Sequence, residues 1–370
     1  MKLNNNHQAF LELIRAGLWE KDACLLPYGD IDFQEIYRLA QEQAIIGLMA
    51  AGFEHVKDVK IPQEIALTIA GDALQLEQRN KAMNSFIGAL VEKMRKAGIY
   101  ALLVKGQGIA QCYERASWRA CGDVDLFLSE ENYENAKLFL KPLATHIDEE
   151  IPQSRHIAIS IEPWEVELHG TLRCGLWRKL DKTLDDVQNS VFCDGTVRSW
   201  MNGRTQVFIP RADEDVFFVF THILQHFFKE GIGLRQICDW CRLLWTYRGR
   251  INNELLRSRL KNAGILSEWK VFSALAVDYL GMSENAIPFY SSKTCWTKKS
   301  KRVLDFILET GNFGHNRDYS YYRKQSLIVS KAISLLRHTK DAITYLFIFP
   351  IDAMKVWGKM IKIGIKELVK

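Results

Sequence analysis

Residues 102–128, LLVKGQGIAQCYERASWRACGDVDLFL, constrain this chain more than any other stretch. One apolar run ends at Lys105-Gly106, and a second carries Asp123 and Asp125. Residues i and i+2 of a strand share a face, so both carboxylates point the same way. Two like charges side by side on an otherwise buried strand are costly unless a cation lies between them. Such a segment asks for a cation and for a third group to help hold it.

The rest of the chain supplies the setting. From Gln8 to about Ala97 apolar residues recur at spacings of three and four, which predicts helices. Pro62 suits a first helical turn and Gly98 a stop. The period then changes. "IYALLVKG" reads as a buried strand, "GIAQCYERA" as a short helix, "DVDLFL" as a second strand and "SEENYENAKLFLKPL" as a helix capped by Ser129, with Asn132 three residues on. "RHIAISI" and "WEVELHG" alternate in polarity and are separated by a turn at Pro163. After Arg173 helical patterns return, in "LDKTLDDVQNSVF", "ADEDVFFVFTHILQHFFKEG" and "LRQICDWCRLLWTY", with "RTQVFIP" as a short strand or extended lead-in. The expected fold is α+β: a small mixed sheet over 98–172, flanked by an N-terminal helical region, 1–97, and a C-terminal helical region, 173–370.

Composition narrows the class. Apolar residues make up 48% and charged residues 25% of the 370, as in ordinary globular proteins. Cys24, Cys112, Cys121, Cys174, Cys193, Cys238, Cys241 and Cys295 follow no framework. The first residues are amphipathic rather than continuously apolar, so free thiols in a reducing cytoplasm are expected. No window is apolar for long enough to span a membrane, the nearest being "AITYLFIFPIDAMKVW", broken by Pro350 and Asp352. From Lys293 to Lys370 sixteen Lys or Arg face six Asp or Glu, a net of +10, leaving −5 for the preceding 292 residues. A solvated helical face explains this basic tail, and contact with phosphates or an anionic surface is the alternative.

Around the two aspartates the candidate groups are specific. Glycine after Lys105 lets the backbone approach a ligand closely, and a helix N-terminus with a lysine suits phosphate. Asp123 and Asp125 offer oxygen ligands to a hard cation. On "WEVELHG", Glu165 and Glu167 share a face, and either can supply the third carboxylate.

These residues resemble the minimal nucleotidyltransferase core of the DNA polymerase β superfamily. More closely they resemble a bacterial family of uncharacterised nucleotidyltransferases. The matching residues are Lys105-Gly106, Tyr113, Arg119, Asp123-Val124-Asp125-Leu126, Glu167-Leu168-His169, His222, His226, and Leu234-Arg235 with Asp239, across roughly residues 80 to 250. The resemblance implies an NTP substrate and Mg²⁺, with Mn²⁺ an acceptable substitute, held by Asp123, Asp125 and Glu167 as catalytic residues. It implies nucleotide contacts from Lys105, Gly106, Gln107, Arg119 and Arg235. Gln107 stands where the superfamily usually has serine, and seventeen positions separate Gly106 from Asp123, more than is usual. Lys105 and Arg119 then stand in for the missing hydroxyl.

Blander readings sit beside these. His169 reads as structural, and His222 and His226 as core histidines among phenylalanines. Arg235 and Asp239, four apart, form an intrahelical pair unless Arg235 reaches the nucleotide. Cys238 and Cys241 lack a second pair and argue against zinc. The acceptor stays unidentified, and a nucleic-acid acceptor is not favoured because no reading module is visible. Two rival functions remain: an inactive nucleotide-binding or scaffold protein with this fold, and a nucleic-acid or membrane-surface binder acting through the basic tail.

Overall fold

A computed structural model describes residues 3–151, 154–193, 197–317 and 327–369. Helices α1 (Asn5–Trp19), α2 (Phe33–Glu42), α3 (Ile46–Glu54) and α4 (Gln63–Lys96) come first. Asn4 caps α1 by accepting from His7 N, and Asp32 caps α2 by accepting from Gln34 N and Glu35 N. Helices α1 and α3 meet backbone to backbone. A Cβ on Gly17 would lie 2.1 Å from Leu48 O, and one on Gly52 2.2 Å from Leu13 O. Pro62 sits just before the first turn of α4 rather than in it, and Gly98, at φ +75°, follows its end.

The sheet is mixed, as the sequence predicts. Strands β1 (Leu102–Leu103), β2 (Asp123–Phe127), β3 (His146–Ile147), β4 (His156–Ile161) and β5 (Trp164–His169) lie in the order β1-β2-β5-β4-β3. β2 and β5 are parallel and the other pairs antiparallel. Short α5 (Gly106–Ala110) joins β1 to β2, and α6 (Glu130–Leu140) follows β2. The strand expected from "IYALLVKG" is reduced to two residues, because only Leu102 and Leu103 pair with the end of β2. Ser129 occupies the position before α6 without a hydroxyl bond to its backbone; instead Asn132 Nδ2 donates to Ser129 Oγ.

Alternation gives the sheet two different faces. Val124, Leu126, Val166 and Leu168 pack on the C-terminal half of α4 and on α6, against Met83, Ile87 and Tyr133. Asp123, Asp125 and Glu167 occupy the other face, where Phe127 meets Phe192 of α7 (Arg178–Cys193) with ring centroids 4.8 Å apart.

A hairpin of β6 (Arg198–Asn202) and β7 (Thr205–Ile209) leads to α8 (Ala212–Lys229), α9 (Leu234–Tyr247), α10 (Asn253–Ala263), α11 (Leu266–Leu280) and α12 (Thr294–Thr310). Two further helices, Leu327–Leu346 and Pro350–Val369, follow. The sequence reading found β7 but not β6. Phe217, Phe220 and Phe227 of α8 are fully buried, each stabilising by roughly 1.5–3 kcal/mol. They share one apolar core with Phe10 and Ile14 of α1 and with Trp240 and Trp269. Arg242 ties the layers together, donating to Leu18 O at 3.0 Å and Cys112 O at 2.7 Å. Among the described residues no helix is long and apolar enough to cross a membrane. The described cysteine side chains form no disulfide, and that of Cys193 lies outside the described set, as do residues 318–326 of the basic tail.

Candidate functional site

Register decides which carboxylates meet. In the parallel β2–β5 pair Asp123 is opposite Glu165, and Asp125 is opposite Glu167. One oxygen each from Asp123, Asp125 and Glu167 lie within 4.8 Å of one another. Glu165, exposed near the start of β5, is outside this group. Asp125 is 2% exposed. Its Oδ1 accepts from Lys105 Nζ at 2.6 Å and from His169 Nε2 at 2.8 Å. Glu167 Oε2 accepts from His156 Nε2 at 3.1 Å and lies 3.4 Å from His169 Nε2.

Lys105 reaches this cluster from a bend in which it and Gly106 both have positive φ, +56° and +39°. A non-glycine residue pays for such a conformation, so the bend is strained where the ammonium is aimed at the carboxylates. A Cβ on Gly106 would meet Cys121 Sγ at 3.1 Å. Helix α5 is five residues long and carries little dipole, so the charge at the bend comes from Lys105.

Electrostatics follow from this crowding. The Asp125 charge, then burial, push the Asp123 carboxyl up to about 6. Burial opposes the Lys105 ammonium, but Asp125, Glu167 and Asp123 outweigh it and hold Lys105 above its ordinary value. Burial would also raise Glu167; hydrogen bonds from His156 and His169 prevail and hold it well below the carboxylate range. His169 is disfavoured as a cation by burial, yet its bonds to Asp125 and Glu167 raise it.

Other expected contacts fall elsewhere. Gln107 is buried, and its Nε2 donates to Asn80 Oδ1 at 2.8 Å. Asn80 in turn donates to Ser117 O and Arg119 O, so this amide pair holds the loop before β2. Arg119 is 5% exposed and forms a two-pronged pair with Asp239, Nε–Oδ1 3.0 Å and Nη2–Oδ2 2.6 Å. Tyr113 OH donates to the same Asp239 Oδ1 at 2.8 Å. Asp239 therefore takes Arg119 rather than the intrahelical Arg235, whose Nη1 donates to Ala120 O at 3.1 Å. The side chains of Gln107 and Arg119 fix the chain between Lys105 and Asp123, a supporting place rather than an open one.

His222 and His226 are not simply core residues. Lys105 Nζ donates to His222 Nε2 at 3.2 Å, His226 Nε2 lies 3.1 Å from the same atom, and His226 Nδ1 is 3.0 Å from Glu230 Oε2. Burial, then the Lys105 charge, hold His222 well below its usual value, so it is neutral and can accept from the lysine. The spacing of four put both histidines on one helical face; that this face meets Lys105 is a tertiary fact no local pattern carries. His156 was also missed, although its alternating strand is legible.

Two neighbouring strands that bring three carboxylates to a lysine-glycine bend, within a small mixed sheet, define a nucleotidyltransferase type of core. The chain belongs to the family described as uncharacterised nucleotidyltransferase, whose model matches residues 29–281. No curated protein and no solved structure matches the chain.

Proposed function

We propose that this protein transfers a nucleoside monophosphate from an NTP to an acceptor, releasing pyrophosphate. The observation that carries the reading is the convergence of Asp123, Asp125 and Glu167 beside Lys105. Three oxygen donors within reach of one another, one of them pushed towards protonation by its neighbour, fit a hard dication such as Mg²⁺. When bound, Mg²⁺ would neutralise phosphate charge and make an acceptor hydroxyl more acidic.

The chain's own groups then have separate tasks. Asp123, Asp125 and Glu167 would hold the ion. Glu167, kept ionised by His156 and His169, suits a ligand better than a proton acceptor. Asp123, raised to about 6 by the Asp125 charge and by burial, is the carboxylate whose repulsion a bound dication would relieve most. Lys105 would donate to triphosphate oxygens, and neutral His222, which accepts from its ammonium, orients it. Arg119, locked on Asp239, and Gln107, locked on Asn80, keep the bend and β2 in register. Arg235 stands closest to a nucleotide-facing role, since its Nη1 binds the loop ending at Ala120 just before β2.

Incubation with each α-labelled NTP and Mg²⁺ or Mn²⁺ tests this. Label should appear on the protein or on a cell-extract component and vanish in Asp123→Ala. Nucleotide bound without release of pyrophosphate, unchanged by Asp125→Asn, would instead identify a non-catalytic binder.

A further inference from the structure

We infer that His156, Glu167 and His169 form a second metal site, one that takes a borderline transition-metal dication such as Zn²⁺ or Co²⁺ and shares Glu167 with the carboxylate cluster. The topology builds it. His156 on β4 stands directly opposite His169 on β5, and Glu167 lies two residues before His169 on the same face. Both Nε2 atoms are aimed at one oxygen, Glu167 Oε2, at 3.1 and 3.4 Å. The three ligand atoms lie within 4.8 Å of one another, and the two rings are 4.8 Å apart between centroids.

Those separations match coordination. With metal–nitrogen and metal–oxygen bonds of about 2.0–2.2 Å, adjacent ligands of a tetrahedral or octahedral ion lie about 3.0–3.5 Å apart. Two imidazoles and a carboxylate differ in kind from the all-oxygen set of Asp123, Asp125 and Glu167. Imidazole suits zinc, cobalt, iron and nickel, whereas Mg²⁺ prefers oxygen. The site is open to entry, since the side chains of His156, Glu167 and His169 are 25%, 20% and 15% exposed. Binding requires each Nε2 to offer its lone pair, so the neutral rings carry their hydrogen on Nδ1 and the present donations to Glu167 and Asp125 are given up.

The site shares Glu167 with the proposed transfer site, but its histidines are separate from that reading, and its test reads metal binding alone. Co²⁺ is titrated into the full-length protein in excess Mg²⁺, added to compete Co²⁺ away from the oxygen ligands of Asp123 and Asp125 while the two imidazoles, which Mg²⁺ does not favour, stay available. The wild type should take one Co²⁺ with visible ligand-field bands. His156→Gln and His169→Gln, shown to be folded by circular dichroism, should each weaken binding at least tenfold, and Glu165→Gln should not. A reading free of variants comes from ¹⁵N spectra of the wild-type histidines: Zn²⁺ should move the Nε2 resonances of His156 and His169. A wild type that takes no Co²⁺ overturns the proposal. So do folded His156→Gln and His169→Gln proteins that bind as the wild type does, or Nε2 resonances that Zn²⁺ leaves in place.

Discussion

Asp125 Oδ1 accepts from both Lys105 and His169, and its charge falls on Asp123 beside it. Asp123 is thereby raised to about 6, above the roughly 3.9 of an unfolded aspartate. The folded, metal-free protein holds a proton there that the unfolded chain has released, so stability falls as pH rises from about 4 to about 6 and stays reduced above that. Removing the charge should help where the penalty is full. Asp123→Asn in EDTA should raise the melting temperature by about 2–4 °C at pH 7.5 and change it little at pH 4. A thermal shift assay at both pH values checks this, and an equal loss at each would contradict it. The opposite holds for Arg119, whose removal strands Asp239 in the interior. Arg119→Leu should cost about 3–5 kcal/mol in denaturant unfolding, and Arg119→Lys should recover only part of it, because an ammonium cannot make the two-pronged pair. This residue was legible as a cation near the site, but its partner, 120 positions away, was not. Sequence spacing offered Asp239 a nearer arginine, Arg235, but Arg235 turns to Ala120 O and the distant arginine makes the pair.

At the scale of elements, local pattern and pairing tell different parts of the story. Alternation in DVDLF and WEVELH identified two strands and put Asp123 with Asp125, and Glu165 with Glu167, on common faces. It could not choose the third carboxylate, because that depends on the parallel register of β2 against β5. The missed strand β6 had a readable signal in Asn202-Gly203, at the tight turn into β7, with Gly203 at φ +61°. Helix crossings were illegible for another reason: a glycine in a helical pattern does not say whether a backbone lies against it. Gly17 and Gly71 test the difference. Gly17→Ala should destabilise by about 1–3 kcal/mol, since its new methyl would overlap Leu48 O. Gly71→Ala in α4, with nothing within 4 Å of its Cβ, should stabilise by about 0.5–1 kcal/mol. Urea unfolding of the two proteins gives both values.

Over the whole molecule, one apolar core carries α1, α8, α9 and α11, and the acidic face of the sheet is turned towards that helical body. His222 on α8 touches Lys105, and Arg119 of the loop before β2 holds α9 through Asp239. The helical regions thus support the site from outside the sheet, which is why so much of the site's surroundings escaped a reading of the strands alone. The central claim is that Asp125 and Glu167, and not Glu165, hold a cation that a nucleotide needs. Calorimetric titration of a non-hydrolysable NTP in Mg²⁺ measures this directly. The wild type should bind. Asp125→Asn and Glu167→Gln should lose at least about tenfold in affinity, roughly 1.4 kcal/mol, while Glu165→Gln stays close to the wild type. Undiminished binding by Asp125→Asn and Glu167→Gln, or a loss confined to Glu165→Gln, would contradict the account.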